Sequence, residues 1–202
     1  VTGVQTCALP ILEVKRVIYN NDGYSSFFDG GATVYNEVER YHGKDAEQLD
    51  WCLLVSGTLN YDTKVADVYG RNITEFPRRG DKQVAEWIDS DIKSGKDPLT
   101  RAVEKAREIG IKIFISYRMN AYYGKDFEKV FNGSFWWGNL HLRIDLGGTY
   151  SQNLSYAYPE VRDFVLSILM EAVEYGVDGI NLDFLRHPPF FGYEKVLING
   201  FM

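Results

Sequence analysis

The chain has 202 residues, 45% of them hydrophobic and 15% aromatic, which is enough to bury one sizeable core. Its formal net charge of -6 argues against a nucleic-acid partner, because nucleic acids are bound by clustered basic residues. Cys7 and Cys52 lack the number and spacing of a disulfide framework or a metal site, and no apolar run approaches the roughly 18 residues of a membrane span.

Neither end of the chain is expected to be a natural end. Val1–Ile11 reads VTGVQTCALPI, which is the residue-for-residue translation of a short-read sequencing adapter. We therefore treat residues 1–11 as a non-native peptide that packs against nothing, and residues 12–202 as the N-terminal part of one catalytic domain. The closing VLINGFM has neither a helix cap nor a polar tail, so we expect a second truncation there. On this interpretation a signal peptide is lost, and both a cytoplasmic and an exported location stay open.

Two strands and a short helix are predicted before residue 57. Val14–Asn20 (VKRVIYN) is rich in β-branched residues and runs into a turn-forming cluster, as strands do. A short helix is predicted near Val34–Tyr41. Trp51–Ser56 (WCLLVS) is almost continuously apolar, which is typical of a strand buried on both faces of a parallel sheet.

Two helices are predicted after a polar and aromatic excursion at residues 57–80. The first is predicted at Asp81–Lys93. The second has Asp97 as its N-cap and Pro98 at its first helical position, and Gly110 ends it.

The third predicted strand, Ile111–Met119 (IKIFISYRM), alternates between apolar and polar side chains. Ser116, Arg118 and Asn120 share one parity, so the strand is predicted to present a polar face near its carboxyl end. Residues 121–155 then form a loop that is too long for a simple connection and is dense in aromatic residues.

The fourth strand is predicted within Gly176–Pro188 (GVDGINLDFLRHP), directly after a strong amphipathic helix at Pro159–Tyr175. Asn181 and Asp183 have the same parity and are expected to point the same way. A carboxylate at the carboxyl end of such a strand is where α/β barrels keep their chemistry. The alternative is that Asp183 caps the next turn or pairs with Arg186.

The order of elements predicts an α/β fold. Strands that alternate with helices imply parallel strands joined by right-handed crossovers. A complete (β/α)8 TIM barrel needs roughly 250 residues, so four strands amount to about the first four β/α units of one. A doubly wound sheet is the alternative, but no Gly-rich phosphate loop follows the first strand.

Polar residues recur where each of the four predicted strands ends. They are Asn20, Asn21 and Asp22; Ser56, Thr58, Asn60 and Tyr61; Arg118 and Asn120; and Asp183, Arg186 and His187. In a parallel barrel these ends converge on one mouth. The residues expected around that mouth are Asp22, Asn60, Arg118, Asn120 and Asp183. Asn and Asp after a strand are also ordinary turn formers, so that interpretation of Asn21 and Asp22 stays open.

Several blocks of this sequence resemble a known family. IKIFISYRMN, YAYPEVR at residues 156–162 and GVDGINLDFLRHPPFF resemble the glycoside hydrolase family 10-like barrels of uncharacterised glycosyl hydrolases, and VIYNNDG and YDTKVADVYG resemble the same group. The resemblance is spread over most of residues 14–193. It implies a barrel, a carbohydrate substrate and a site formed by the strand ends.

Glycoside cleavage needs two carboxyl groups that flank the scissile bond. Asp183 is the candidate for one of them, and a nearby Arg118 or Arg186 would keep it ionised, which suits a nucleophile or base. The second carboxylate is not evident. Its candidates are Asp22, Asp62, Asp145, Glu194 and a residue on a strand beyond Met202.

Ten residues are predicted to contact the sugar. They are Asn21, Asp22, Asn60, Tyr61, Arg118, Asn120, Trp136, Trp137, Arg186 and His187. The aromatic members are predicted stacking surfaces, with packing inside a loop as the alternative, and a His beside Pro is more often structural.

The predicted function is a retaining or inverting glycoside hydrolase whose present fragment is inactive alone. The alternative is a carbohydrate-binding barrel that kept the cleft and lost the acid. A metal-dependent hydrolase barrel is a weak alternative, because it needs paired His ligands on the first strand and this chain has Asn20 and Asn21 there. We expect no cofactor and no metal, and the oligomeric state stays open.

Overall fold

The computed structural model describes residues 17–28 and 33–194. The interpretations of residues 1–11 and of the start of the first strand therefore fall outside the described residues. None of the helices in the described part is long and apolar enough to cross a membrane.

Strands and helices alternate along the described chain. The first elements are β1 (Val17–Asn21), α1 (Thr33–Glu39), β2 (Ala46–Cys52), β3 (Thr58–Leu59) and β4 (Asp67–Val68). They are followed by α2 (Arg79–Lys93), α3 (Pro98–Glu108), β5 (Lys112–Arg118), α4 (Glu128–Phe131) and α5 (Gly133–Gly138). The last are β6 (Arg143–Asp145), β7 (Tyr150–Leu154), α6 (Pro159–Glu174) and β8 (Gly179–Asp183).

The central sheet has four parallel strands in the order β1-β2-β5-β8. The predicted α/β class and the parallel pairing are confirmed. Two small sheets lie outside it: β3 pairs with β4, and β6 forms an antiparallel pair with β7. The pair β6–β7 lies within residues 121–155, which the sequence predicted as a loop.

The second strand was predicted at Trp51–Ser56, and that boundary is wrong. β2 covers Ala46–Cys52, and the chain then turns sharply, because the Val55 amide donates to the Thr58 carbonyl at 3.4 Å. The continuous apolar run misled the prediction. The informative signal was the alternation over residues 48–51, where polar Gln48 and Asp50 alternate with apolar Leu49 and Trp51.

The helix boundaries follow from local chemistry. The Asp97 side chain accepts a hydrogen bond from the Thr100 amide at 2.9 Å, and Pro98 opens α3, as predicted. Gly110 follows α3 and Gly176 follows α6 with φ of 74° and 78°, a conformation that costs glycine little. Capping signals therefore located both helices from sequence.

One face of the sheet is apolar and packs with the helices in a single core. Its strand members are fully buried or nearly so: Leu49, Trp51, Ile113, Ile115 and Tyr117. The helices contribute Val34 and Val38 from α1, Leu99 and Val103 from α3, and Ile168 and Ala172 from α6.

The other face of the sheet is rich in polar side chains. The strand register places these at alternate positions: Asn20, Asp50, Cys52, Ser116, Arg118, Asn181 and Asp183. Of these, Asn20 is exposed, and Asn181 and Asp183 are half-buried. This polar face leads directly to the carboxyl ends of the strands.

Candidate functional site

Two adjoining cavities lie at the carboxyl ends of the parallel strands. The larger, of about 520 Å³, is lined by Asn20, Ser116, Asn181, Asp183 and the residues that follow β8. The smaller, of about 300 Å³, is lined by Asp22, Tyr24, Leu54, Arg78, Tyr123, Phe127 and Phe131. Arg118 and Arg186 line both cavities and so form their common wall.

Asp183 is half-buried at the end of β8, where its Cα is the register partner of Arg118. Its Oδ1 accepts hydrogen bonds from the amides of Leu185 at 3.0 Å and Arg186 at 3.3 Å. Among the described residues, no partner reaches Oδ2, and no cation lies within 4.0 Å of the carboxylate. Asp183 therefore shapes the turn with one oxygen and keeps the other free at the cavity, while the alternative of an ion pair with Arg186 is not found.

Asp22 has the same arrangement at the end of β1. Its Oδ1 accepts from the amides of Tyr24 at 2.9 Å and Ser25 at 3.0 Å, and from the Ser25 hydroxyl at 3.0 Å. Burial raises the pKa of Asp22, but these hydrogen bonds and the charge of Arg118 outweigh it and leave the pKa below its ordinary value. Asp22 is therefore ionised at neutral pH and faces the smaller cavity.

Arg118 lies between these two carboxylates in the sheet and is only 9% exposed. Its Nη1 donates to the carbonyl oxygen of Leu54 at 3.0 Å. Leu54 has a φ of 97°, in the region that favours glycine, and it lines the smaller cavity. Backbone strain at a residue without glycine's freedom is characteristic of functional sites.

A buried polar group beneath the larger cavity was missed by the sequence reasoning. Asp50 is 4% exposed and accepts hydrogen bonds from Asn181 Nδ2 and Gln48 Nε2, both at 2.6 Å. The bond from Asn181 ties β8 to β2 across β5. The alternation of Gln48, Asp50 and Cys52 was the signal that would have found it.

Asn60 and Asn21 were predicted to bind the sugar, but the structure places both side chains inside. Asn60 is fully buried and donates to the carbonyl oxygens of Gly23 at 2.9 Å and Cys52 at 3.0 Å. Asn21 is 6% exposed and accepts from the Gly23 amide at 2.8 Å. Asn60 ties the loop after β1 to the end of β2, and Asn21 fixes the loop after β1 from within, so both position Asp22 and line neither cavity.

Asn120 is also fully buried, away from the predicted mouth. Its Nδ2 donates to the carbonyl oxygens of Leu154 at 3.1 Å and Pro189 at 2.9 Å. The prediction extended the alternation of β5 by two residues, but β5 ends at Arg118 and the period-two rule ends with it. Asn120 joins β7 to the segment after β8.

The predicted aromatic surfaces do not line these cavities. Tyr61 is fully buried, and its hydroxyl donates to Glu171 Oε2 of α6 at 2.8 Å. Trp136 is 2% exposed, and its Nε1 donates to the Gln152 carbonyl oxygen at 2.6 Å. Trp137 is 44% exposed but lines two other cavities, beside α4 and the segment before α2.

Three candidate second carboxylates have structural partners elsewhere. Asp62 pairs with Lys64 and, at 3.4 Å, with Arg71. Asp145 Oδ1 accepts from the amides that follow it at 2.8 and 2.9 Å. Glu194 accepts from the Asp145 amide at 2.9 Å. None of the three lines either cavity.

An ionic cluster around the buried carboxylate of Asp81 supports the outer wall of the smaller cavity. Arg78 binds the fully buried Asp81 with Nε at 2.9 Å and Nη2 at 2.7 Å, and Tyr24 donates its hydroxyl to the same carboxylate. Burial raises the pKa of Asp81, but the bonds from Arg78 and Tyr24 prevail and leave it below the ordinary value. The Arg78 guanidinium also lies 4.9 Å from the ring centroid of Phe127. The pair Arg78–Asp81 is local, but the contacts with Tyr24 and Phe127 join residues far apart in sequence, and no local pattern indicates those two.

His187 lies half-buried beside the smaller cavity, with a φ of 58° and its ring 5.1 Å from that of Tyr123. Burial lowers the pKa of His187, the positive charges of Arg186 and Arg118 lower it further, and Asp183 partly opposes them. The ring therefore stays neutral at pH 7.

We expect an NMR titration of the His187 ring to give a midpoint below the ordinary 6.5. Asp183→Asn is expected to lower that midpoint further, because it removes the neighbouring negative charge, and Arg186→Gln is expected to raise it. His42, which is exposed beside Glu39 and lines neither cavity, is the internal control. If neither substitution shifts the midpoint of His187, the charges of Asp183 and Arg186 do not lie at the same site as its ring.

Comparison with known proteins adds no family assignment, because neither a protein-family model nor a curated protein sequence matches the chain. Within residues 17–28 and 33–194, no group of three or more His, Cys, Asp or Glu side chains is placed to hold a metal ion. The linings of the two cavities contribute carboxylates, guanidiniums and aromatic rings.

Proposed function

We propose that this chain supplies the first four β/α units of a (β/α)8 barrel and that the barrel is a glycoside hydrolase acting on a poly- or oligosaccharide. The observation that carries the proposal is the carboxylate of Asp183. It is held by two backbone amides at the carboxyl end of a parallel strand, with its second oxygen free at a cavity. Barrel enzymes place their catalytic groups at this end of the strands.

The strand order supports a barrel over a doubly wound sheet. The four strands follow one another in chain order, and β1 lies at an edge of the described sheet. In a doubly wound sheet the first strand is internal, because the order reverses beside it. The helices share one apolar core with one face of the sheet, as they do outside a barrel.

Exposed apolar side chains beside β8 support a further β/α unit at that edge. Leu166, Met170 and Val173 of α6 are 44–58% exposed at helical spacing, and Leu182 of β8 is 42% exposed. Contiguous apolar surface of this kind marks a contact surface. In the proposed barrel, the next strand pairs along β8 and its helix covers α6.

Asp183 suits the role of nucleophile or general base in this proposal. Two backbone amides hold its Oδ1, and its other oxygen is left to meet the sugar beside Arg118. Arg118, Arg186 and Asp22 contact the sugar, and the neutral His187 supports the wall of the cleft.

The second carboxylate is proposed to come from a strand beyond β8. Asp22 is three strand spacings from Asp183, or about 14 Å measured along the sheet. Catalytic carboxyl groups are about 5–5.5 Å apart in retaining enzymes and about 6.5–9.5 Å apart in inverting ones. A strand that pairs with the free edge of β8 brings its carboxylate close enough.

A carbohydrate-binding barrel without catalysis is the second candidate. It is favoured by one observation: within the described residues, Asp183 is the carboxylate that lines the larger cavity, with no second one beside it. The test uses the intact protein that carries this chain, incubated with a panel of neutral and acidic polysaccharides. New reducing ends support the hydrolase, whereas saturable binding without new reducing ends supports the binding protein.

A further inference from the structure

Arg118 is the one buried cation in the described part of the chain. Every other Arg and Lys there is half-buried or exposed. Arg78, which also lines the smaller cavity, is neutralised by two hydrogen bonds to Asp81. Arg118 has no carboxylate within 4.0 Å among the described residues and makes one hydrogen bond, to the Leu54 carbonyl oxygen. Its remaining guanidinium N–H groups are left for a ligand.

A buried guanidinium without a counterion is costly, so proteins pair such groups. The carboxylate of Asp22 is close enough to respond to the charge of Arg118 but makes no ion pair with it. An oxyanion of a ligand fits this position, because guanidinium groups bind carboxylate, sulfate and phosphate through paired N–H donors.

Arg186 adds a second positive charge at the same place. It lines both cavities with Arg118, it is exposed, and its side chain has no hydrogen-bond partner among the described residues. Both guanidiniums line the same two cavities, and both lower the pKa of the neighbouring His187 ring. An anionic group at the common wall of the cavities is therefore within reach of both.

We propose that this cleft recognises an acidic sugar, through an oxyanion group bound between Arg118 and Arg186. The substrate class is an anionic oligo- or polysaccharide that carries carboxylate, sulfate or phosphate groups. This inference rests on the proposed carbohydrate function and narrows it. Asp183, which keeps its own free oxygen, faces the sugar ring from the larger cavity.

The test measures the affinity of the intact protein for small sugars by calorimetry at about 0.15 M salt, where long-range attraction is screened. The acidic ligands are glucuronate, galacturonate, glucose 6-sulfate and glucose 6-phosphate, which distinguish the three oxyanions. Glucose and galactose are the neutral references. We expect at least one acidic sugar to bind at least about tenfold more tightly than its neutral reference, because one charge-assisted hydrogen bond contributes about that much affinity.

Arg186→Gln is the decisive variant, because an exposed side chain is replaced without loss of the core. It should remove most of the acidic preference, measured as the ratio of acidic to neutral affinity, and Arg118→Met should do the same where it folds. Arg79→Gln, an exposed arginine of α2 outside both cavities, is the matched control. Equal affinity for acidic and neutral sugars, or a preference that survives Arg186→Gln, overturns the inference even if neutral glycans are cleaved. If acidic sugars are preferred but no glycan is cleaved, the inference of acidic-sugar recognition stands and the hydrolase proposal fails.

Discussion

Replacing Asp183 by Asn is expected to lower kcat of the intact protein on its glycoside substrate by about 10³-fold or more, with binding retained. Asparagine keeps the side-chain oxygen that accepts from the amides of Leu185 and Arg186, so the turn after β8 is preserved. What is lost is the negative charge that an oxocarbenium-like transition state needs. The measurement is kcat together with melting temperature on the same variant.

Asp145→Asn is a matched control for that substitution. The Oδ1 of Asp145 also accepts hydrogen bonds from two backbone amides, yet Asp145 lines neither cavity. It should show the same small change in melting temperature and near-normal turnover. If Asp183→Asn keeps more than about a tenth of wild-type turnover, Asp183 is not the catalytic carboxylate.

Local patterns predicted the parallel strands and the longer helices, although they misplaced β2 and missed the two small sheets β3–β4 and β6–β7. Period-two alternation identified β5 and β8, and the parity of Arg118 and Asp183 placed both on the polar face where the register now pairs them. Capping chemistry at Asp97, Pro98 and Gly110 located α3. These signals act within a few residues of each other, so the sequence displays them directly.

The remaining site residues depend on contacts that the sequence does not display. Asn60 and Asn120 follow strands just as Asp22 and Asp183 do, but they are fully buried because backbone carbonyls 8–69 residues away complete their hydrogen bonds. Asp81 supports the wall of the smaller cavity through Arg78, three residues before it, and through Tyr24, which is 57 residues away and which no local pattern links to it. Residue type at a strand end therefore predicts polarity, and tertiary contacts decide whether the side chain meets a ligand.

Gly23→Ala is expected to destabilise the protein more than any other single methyl addition near the site. Gly23 has a φ of 67°, and a Cβ there would lie well under 3.0 Å from the carbonyl oxygen of Cys52, the last residue of β2. That oxygen cannot move freely, because Asn60 Nδ2 donates both to it and to the carbonyl of Gly23. The substitution must therefore separate the loop that carries Asp22 from the end of β2.

Gly95→Ala separates this clash from the cost of the backbone conformation. Gly95 has nearly the same φ, 72°, but a Cβ there meets nothing within 4 Å. An L-residue in this conformation costs about 1–2 kcal/mol, so that loss is expected in both variants. The clash at Gly23 should add about 1–3 kcal/mol to the loss of unfolding free energy, as overpacking does.

Urea unfolding of the two variants measures the difference. Sugar affinity should fall only in Gly23→Ala, because only that substitution displaces Asp22. Equal losses of stability would mean that the β1 and β2 ends can separate at no cost, and the rigid placement of Asp22 beside Arg118 would have to be abandoned.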